Sequence, residues 1–522
     1  MGTRKGATAE DAIRRAYTAL IDMIRPLIPA KLFTDGGSTL VFDVGMTVHW
    51  GGEDPQSKQI QNVVPVRRWL TYNHHEGHAA AGFFASPFRT ALVFSMDGMG
   101  NDGNQVTFLA DRSRGLEVLN RRWSGTGHWY LHIGRALTEL SKPRAHCYRL
   151  DDNVSKDLRP CLHVAGKKMG YAALGRVRED WVSHVEDMYF WRKSTWAAGL
   201  LGPSGGSLEE QRDFAATSQE VFMRISLRHI AKWLAIYPGV EGLVLSGGCA
   251  LNVPTNTEAK RRFQYPVYVP AAPHDGGLSV GGAWLYRAPP PGRPSALASV
   301  HADASLAFAG PMLWDSPTGS NLLQAEAARR GAVNVGTTPA DVGVIAGLLA
   351  DGNVIAVVRG GSEYGPRALG HRSLLADPTQ PEAKAKMNRL KVREWWRPVA
   401  PMVAYEAVDA LFEQRVWSPF MSFAPRLRPG IAEALPAIAH FDGTARCQTV
   451  TAAQDSWLHA LLMAMQGRNG FAVLCNTSFN VRGRPIINRL DESLRLLDVT
   501  TDLDYLYVDG WLFRKQLAKR KA

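Results

Sequence analysis

Three imidazoles crowd one short stretch, Tyr72-Asn73-His74-His75-Glu76-Gly77-His78, and small apolar residues follow. In a helix His74 and His78 fall one turn apart on one face, where two rings could grip a single cation. The residue order excludes a zinc-peptidase signature, because its second histidine would have to stand where Ala79 does. Two readings stay open on this stretch alone: an incomplete metal shell, or a histidine-rich helix end at the surface. Asp97 follows the apolar strand pattern of residues 90–96, and Asp275 follows that of 267–269 and a proline turn. Each acid precedes a glycine, so each is either a ligand offered at a strand end or an ordinary turn residue.

A second group is cationic. Arg359, Arg367 and Arg372 lie among glycines, Lys391, Arg393 and Arg397 interleave with Trp395 and Trp396, and Arg446 closes the turn at 440–446. The strand pattern at 473–475 runs into Asn476-Thr477-Ser478-Phe479-Asn480. Guanidinium forks match phosphate and carboxylate oxygens bidentately. Each cation alone is a solvated surface charge, but four clusters at strand ends or glycine turns predict one anion pocket. Ser246-Gly247-Gly248, with Asn252 beyond, follows the strand pattern at 242–245 and could offer backbone N–H groups to a phosphate or ribose, although a paired glycine is more often a tight turn. Gly166-Lys167-Lys168-Met169-Gly170 predicts a glycine-bracketed basic turn.

Bulk properties bound the rest. A chain of 522 residues exceeds what one core sustains, so two domains are expected. The net charge of +12 allows nucleic acid, a membrane surface or small anions as partners. The visible basic run is terminal (Arg514, Lys515, Lys519, Arg520, Lys521), so no nucleic acid is expected. Cys147, Cys161, Cys249, Cys447 and Cys475 form no CxxC pair, which suits a reduced cytoplasm. The best apolar run, 342–358, is broken by Asp351, Gly352 and Asn353, and no hydrophobic core follows Arg4 and Lys5. A cytoplasmic protein with no membrane partner is the expectation.

The elements that must position these groups alternate. Helical spacing covers residues 8–28, 131–140, 208–236 and 338–350, strands are expected at 90–96, 242–245, 267–269, 354–358 and 473–475, and residues 36–61 read as loop. That alternation predicts an α/β protein. The proline-rich stretch at 289–294 is the linker, giving domains 1–295 and 296–522, and no repeat relates the halves.

Taken in order, HHEGH, SMDG, GKKMGYA, SGGCALN, PHDGG, GPRALGHRS, KVREWWRPVAP, HFDGTARCQTV and NTSFNVRGRPI resemble the ATP-dependent O-carbamoyltransferases of antibiotic and nodulation-factor biosynthesis. The resemblance implies an actin/Hsp70/sugar-kinase-like (TsaD-like) domain followed by a YrdC-like domain. It implies conversion of carbamoyl phosphate and ATP to a carbamoyl adenylate with release of pyrophosphate, then carbamoyl transfer to a hydroxyl of a small acceptor. His74, His78, Asp97 and Asp275 match the family's metal ligands, for iron first, with zinc, manganese or magnesium as alternatives. Lys167, Gly247, Gly248 and Asn252 fall in its nucleotide-binding positions, and Arg367, Lys391, Arg397, Arg446 and Ser478 in its carbamoyl-phosphate pocket. His274 and His371 are the candidates for a general base. A homodimer is compatible with the family. One departure is expected to matter: such proteins begin with a β-hairpin bearing a His-Asp pair, and no equivalent precedes the first helix. The start is then placed late or the element is lost, and the loss would leave a non-catalytic nucleotide binder. A tRNA threonylcarbamoyl-type transferase is the other alternative.

Overall fold

The protein is seen here in a computed structural model that describes residues 9–24, 33–34, 39–49, 55–141, 163–190, 198–202, 205–289, 307–313, 319–480 and 485–516. Residues 25–28 of the first helical pattern, Cys147, Cys161, residues 290–294 of the proline-rich stretch and Lys519 to Lys521 lie outside them.

The stretch expected as loop, 36–61, holds a strand, β1 (Phe42–Val48), and a helix, α1 (Pro55–Val63), a correction with two local causes. Gly45 disguises the strand: a Cβ there would sit 2.5 Å from the Trp69 ring, so the glycine marks a close crossing rather than a turn. Pro55 opens the helix, where its missing N–H goes unneeded. β1 pairs in parallel with β2 (Val66–Tyr72), which delivers the chain to α2 (His74–Ala85). Three strands, β3 (Thr90–Gly100), β4 (Gly103–Asp111) and β5 (Gly115–Arg122), then form an antiparallel meander.

The glycine-bracketed run expected as a turn is instead the helix α3 (His163–Tyr171). Gly170 serves contact there, since a Cβ would meet Pro398 at 3.3 Å. After the long helix α4 (Leu208–Ile236), capped by Ser207 and Glu210, come β6 (Gly242–Ser246), α5 (Val253–Phe263), β7 (Val267–Tyr268) and α6 (Leu278–Tyr286). β6 lies parallel to β3 and to β7, so the five-stranded sheet has the order β5-β4-β3-β6-β7. The first half thus contains two copies of one path, β1-α1-β2-α2 and β6-α5-β7-α6. Their last helices meet at glycines: a Cβ on Gly281 would stand 1.9 Å from the Gly77 carbonyl oxygen.

The second half is built on an eight-stranded mixed sheet. Its centre is β8 (Ile355–Val358), β9 (Arg372–Ala376), β10 (Ala400–Ala404) and β11 (Val473–Ser478). β9 runs antiparallel to β8 and β11, and β11 antiparallel to β10. One apolar core joins both halves, with Leu92, Phe94 and Leu245 in the same buried cluster as Val354, Ala356 and Val403. Trp396 adds a second tie, buried among Tyr171, Trp129 and Phe214 of the first half. Among the described residues, no helix is long and apolar enough to cross a membrane. The fold is α/β, as its sequence pattern predicts.

Candidate functional site

Two copies of the strand-to-helix path bring the first set of side chains together. His74 and His78 stand on the first turns of α2, Asp97 near the end of β3, and Asp275 just ahead of α6. His78 Nε2 lies 3.1 Å from Asp97 Oδ2, 3.5 Å from Asp275 Oδ1 and 3.1 Å from His74 Nε2. His74 Nε2 lies 3.7 Å from each acid. Burial alone would lower the His78 imidazole, but Asp275 and Asp97 outweigh it and raise it to about 9. Burial pushes the Asp97 carboxyl up, and His74 and His78 overcome that and hold it well below the usual range. The four side chains therefore ask for positive charge in their midst. Donors about 2.1 Å from one tetrahedral centre sit about 3.4 Å apart, a spacing these edges bracket. Two imidazoles and two carboxylates fit a divalent cation of the iron, zinc or manganese type.

His75, between the two, is structural. Its ring nitrogens meet Ser95 Oγ at 2.7 Å and the Gly103 carbonyl at 3.0 Å, and burial takes it down to about 4.

The paired glycines serve Asp97. Gly247 holds φ at 81°, and a Cβ there would strike the Met96 carbonyl at 2.2 Å. That turn aims the Gly248 N–H at Asp97 Oδ2, 2.8 Å away. Asn252 is a cap: its Oδ1 accepts from Thr255 N and Oγ1, and its Nδ2 donates to Gln219. Lys167 sits on the seam, its Nζ donating to Glu394 Oε1 at 2.7 Å.

The second set forms a cavity of about 170 Å³ between the halves, walled by Gly166, Met169 and Gly170 on one side and by Arg367, Arg393, Arg397, Arg446 and Ser478 on the other. Burial lowers Arg367 to about 10 and Arg393 to about 9, with Arg397 adding to both. Burial lowers Arg446 further, reinforced by Arg367, Arg393 and Arg397. Among the described residues neither Arg367 nor Arg446 has a carboxylate partner. Lys391 stands behind the wall: its Nζ donates to the Ser478 carbonyl (2.5 Å), Ser478 Oγ (3.1 Å) and the Asn480 carbonyl (2.7 Å), so it sets the Ser478 segment in place.

The two histidines considered as bases do not line the cavity. His371 is stacked on Phe308 and held at both nitrogens, 2.7 Å from the Gly361 carbonyl and 3.0 Å from Asp455 Oδ2, which leaves it no free lone pair. His274 caps the turn before α6 by accepting from Gly276 N. The site residues expected from the sequence did not include Arg393, His440 or Asn476, and all three line the cavity. Arg393 was signalled by its place in the Lys391–Arg397 run. Asn476 was signalled by the polar run at 476–480, and His440 stood in the turn at 440–446 without a signal of its own.

Known proteins share this chain's pattern in both halves. The profile described as carbamoyltransferase N-terminus matches residues 57–284, and that described as carbamoyltransferase C-terminus matches 346–515. The chain is 30% identical over 417 residues to 3'-hydroxymethylcephem-O-carbamoyltransferase of Streptomyces clavuligerus, with 75% of each chain covered. It is 31% identical over 474 residues to nodulation protein NolO of Bradyrhizobium diazoefficiens, covering 85% of this chain and 79% of that one. Nodulation protein U of the same organism is 28% identical over 488 residues, covering 87% and 78%.

Proposed function

Because this chain belongs to the carbamoyltransferase family, we propose that it is an ATP-dependent O-carbamoyltransferase acting on a hydroxyl of a small natural product or sugar. The donor is carbamoyl phosphate. The single observation that carries this is the cavity: several buried guanidinium groups face one another with too few carboxylates to balance them, a state that a bound phosphorylated anion relieves.

The first half, residues 1–295, is read as TsaD-like, supported by its sheet of three antiparallel strands continued by two parallel ones. Residues 296–522 are read as YrdC-like, supported by the cationic hollow on the mixed sheet. Arg367, Arg397, Arg446 and Ser478 bind the phosphoryl oxygens, and Lys391 orients Ser478. Atom balance requires one water: carbamoyl phosphate yields its phosphate, the carbamate oxygen attacks the α-phosphorus of ATP, and pyrophosphate leaves. The acceptor hydroxyl then displaces AMP from the carbamoyl carbon, its proton passing to a base. Walls from both halves exclude bulk water from the labile intermediate. Gly247, Gly248, Asn252 and Lys167 border the nucleotide in this reading. A divalent cation held by His74, His78, Asp97 and Asp275 would neutralise phosphate charge.

Pyrophosphate release tests the proposal. With ATP and an acceptor present, release is expected only when carbamoyl phosphate is added. Equal release without it contradicts the donor assignment.

A further inference from the structure

The cavity wall is rich in donors, and guanidinium and ammonium groups cannot accept a hydrogen bond. Two lining residues each carry a buried acceptor atom with no partner among the described residues. His440 Nδ1 lies 3.1 Å from Thr444 Oγ1, whose own proton goes to Asp442 Oδ1 at 2.7 Å. The carboxylate can only accept, so Thr444 Oγ1 must accept from His440, and the imidazole proton sits on Nδ1. Nε2 is then a bare lone pair, buried and without a partner among the described residues. Burial lowers His440, with Arg446 and Lys384 acting against Asp442, which keeps the ring neutral.

Asn476 is fixed with equal firmness. Its Nδ2 donates to the Ala368 carbonyl at 3.0 Å and to Gln448 Oε1 at 2.8 Å. A carbonyl cannot donate, so the amide cannot be turned round, and Oδ1 is the atom left buried with no partner among the described residues. Gln448 is itself tied by Nε2 to the Leu369 carbonyl, which locks the arrangement from behind. Unpartnered acceptors buried in a folded chain are rare enough to need a cause.

The ionised phosphoryl oxygens of an acyl phosphate supply only acceptors and cannot satisfy either atom. A carbamoyl group can, because its NH2 carries two donors. Resting on the carbamoyl-phosphate reading above, we propose that His440 Nε2 and Asn476 Oδ1 are the specificity-determining acceptors that recognise the NH2 of the carbamoyl group. Thr444 and Gln448 are positioning residues that fix the tautomer and the amide. The cavity thereby rejects acyl phosphates of the same size that lack the N–H pair, acetyl phosphate first among them.

Competition at equilibrium tests this in the full-length protein with three probes: carbamoyl phosphate, acetyl phosphate and inorganic phosphate. The wild type is expected to bind carbamoyl phosphate at least about tenfold more tightly than acetyl phosphate, the effect of a lost buried hydrogen bond. Acetyl phosphate should bind like inorganic phosphate. His440→Phe and Asn476→Leu should bring carbamoyl phosphate down to the acetyl phosphate level and leave inorganic phosphate within about twofold. Thr444→Val, a milder change, should remove part of the preference by freeing the tautomer. Equal wild-type affinity for the two acyl phosphates overturns the proposal without any variant. So does a parallel loss for all three probes in the variants. Failure of the functional reading is seen separately, as wild-type pyrophosphate release indifferent to carbamoyl phosphate.

Discussion

The cluster of His74, His78, Asp97 and Asp275, which reaches the surface at Asp275, and the cavity of Arg367, Arg393, Arg397 and Arg446 are both charge assemblies, balanced in opposite ways. In the cluster each imidazole stands near both carboxylates, so proton sharing or a cation satisfies it from within. In the cavity like charges face one another, and Glu394, 3.9 Å from Arg397, is itself drawn to Lys167 across the seam. Such an assembly is held by the surrounding fold and is destabilising until an anion enters. The difference teaches which site waits for substrate. The cluster can be stable on its own terms, whereas the cavity is explained only by its ligand.

The largest expected effect follows from that imbalance. Arg446→Met should lower carbamoyl-phosphate-dependent pyrophosphate release about a thousandfold. It should leave the melting temperature of the ligand-free protein unchanged or higher, because an apolar side chain replaces a buried cation that neighbouring cations repel. A thousandfold loss with a lower melting temperature would mean that Arg446 holds the fold together and would erase the contrast with the cluster.

A smaller effect comes from the seam that keeps the two assemblies in register. Trp396, 3% exposed, packs its ring 5.3 Å from that of Tyr171 and also lines the cavity. Trp396→Ala should cost about 3 kcal/mol of unfolding free energy in a urea titration. Metal content should stay near the wild-type value, since the cluster lies wholly within the first half. Loss of metal along with stability would show the two assemblies to be one.

The smallest effect separates both assemblies from background titration. His229, hydrogen-bonded to Thr107 Oγ1 at 2.8 Å, is lowered to about 4, chiefly by burial, with Arg122 and Lys232 adding to it. The unfolded imidazole takes up its proton below about pH 6.5 and the folded one only near 4. Its contribution is therefore complete above about pH 6.5 and is lost as pH falls toward 4. His229→Gln should remove roughly 2 kcal/mol of that acid sensitivity. An unchanged pH profile would assign the acid sensitivity to the two charge assemblies instead.

How far the sequence reached depended on what fixed each residue. The cluster was legible because an acid after an apolar strand and a histidine pair one turn apart keep their geometry in any packing. The arginines were legible as a group, yet their division of labour was not. Lys391 and Arg393 are two residues apart, and only the loop after the helix Ala383–Leu390 sends one behind Ser478 and the other to the cavity. Glycines misled most. Gly45 hid a strand, and Gly166 and Gly170 suggested a turn where there is a helix. Gly45 and Gly170 each answer to a partner distant in sequence, which local pattern cannot reveal. His440 and Asn476 stood inside noticed motifs but were not picked out within them for a related reason: what singles them out is a missing partner among the described residues.

Equilibrium binding of carbamoyl phosphate to the full-length protein, before and after removal of divalent cations by a chelator and again in Arg446→Met, separates the two assemblies most directly. Affinity should survive chelation within about threefold and fall by at least about a hundredfold in the variant. Affinity that vanishes with the cation and persists without Arg446 would place the donor at the histidine–aspartate cluster and contradict the assignment of the cavity.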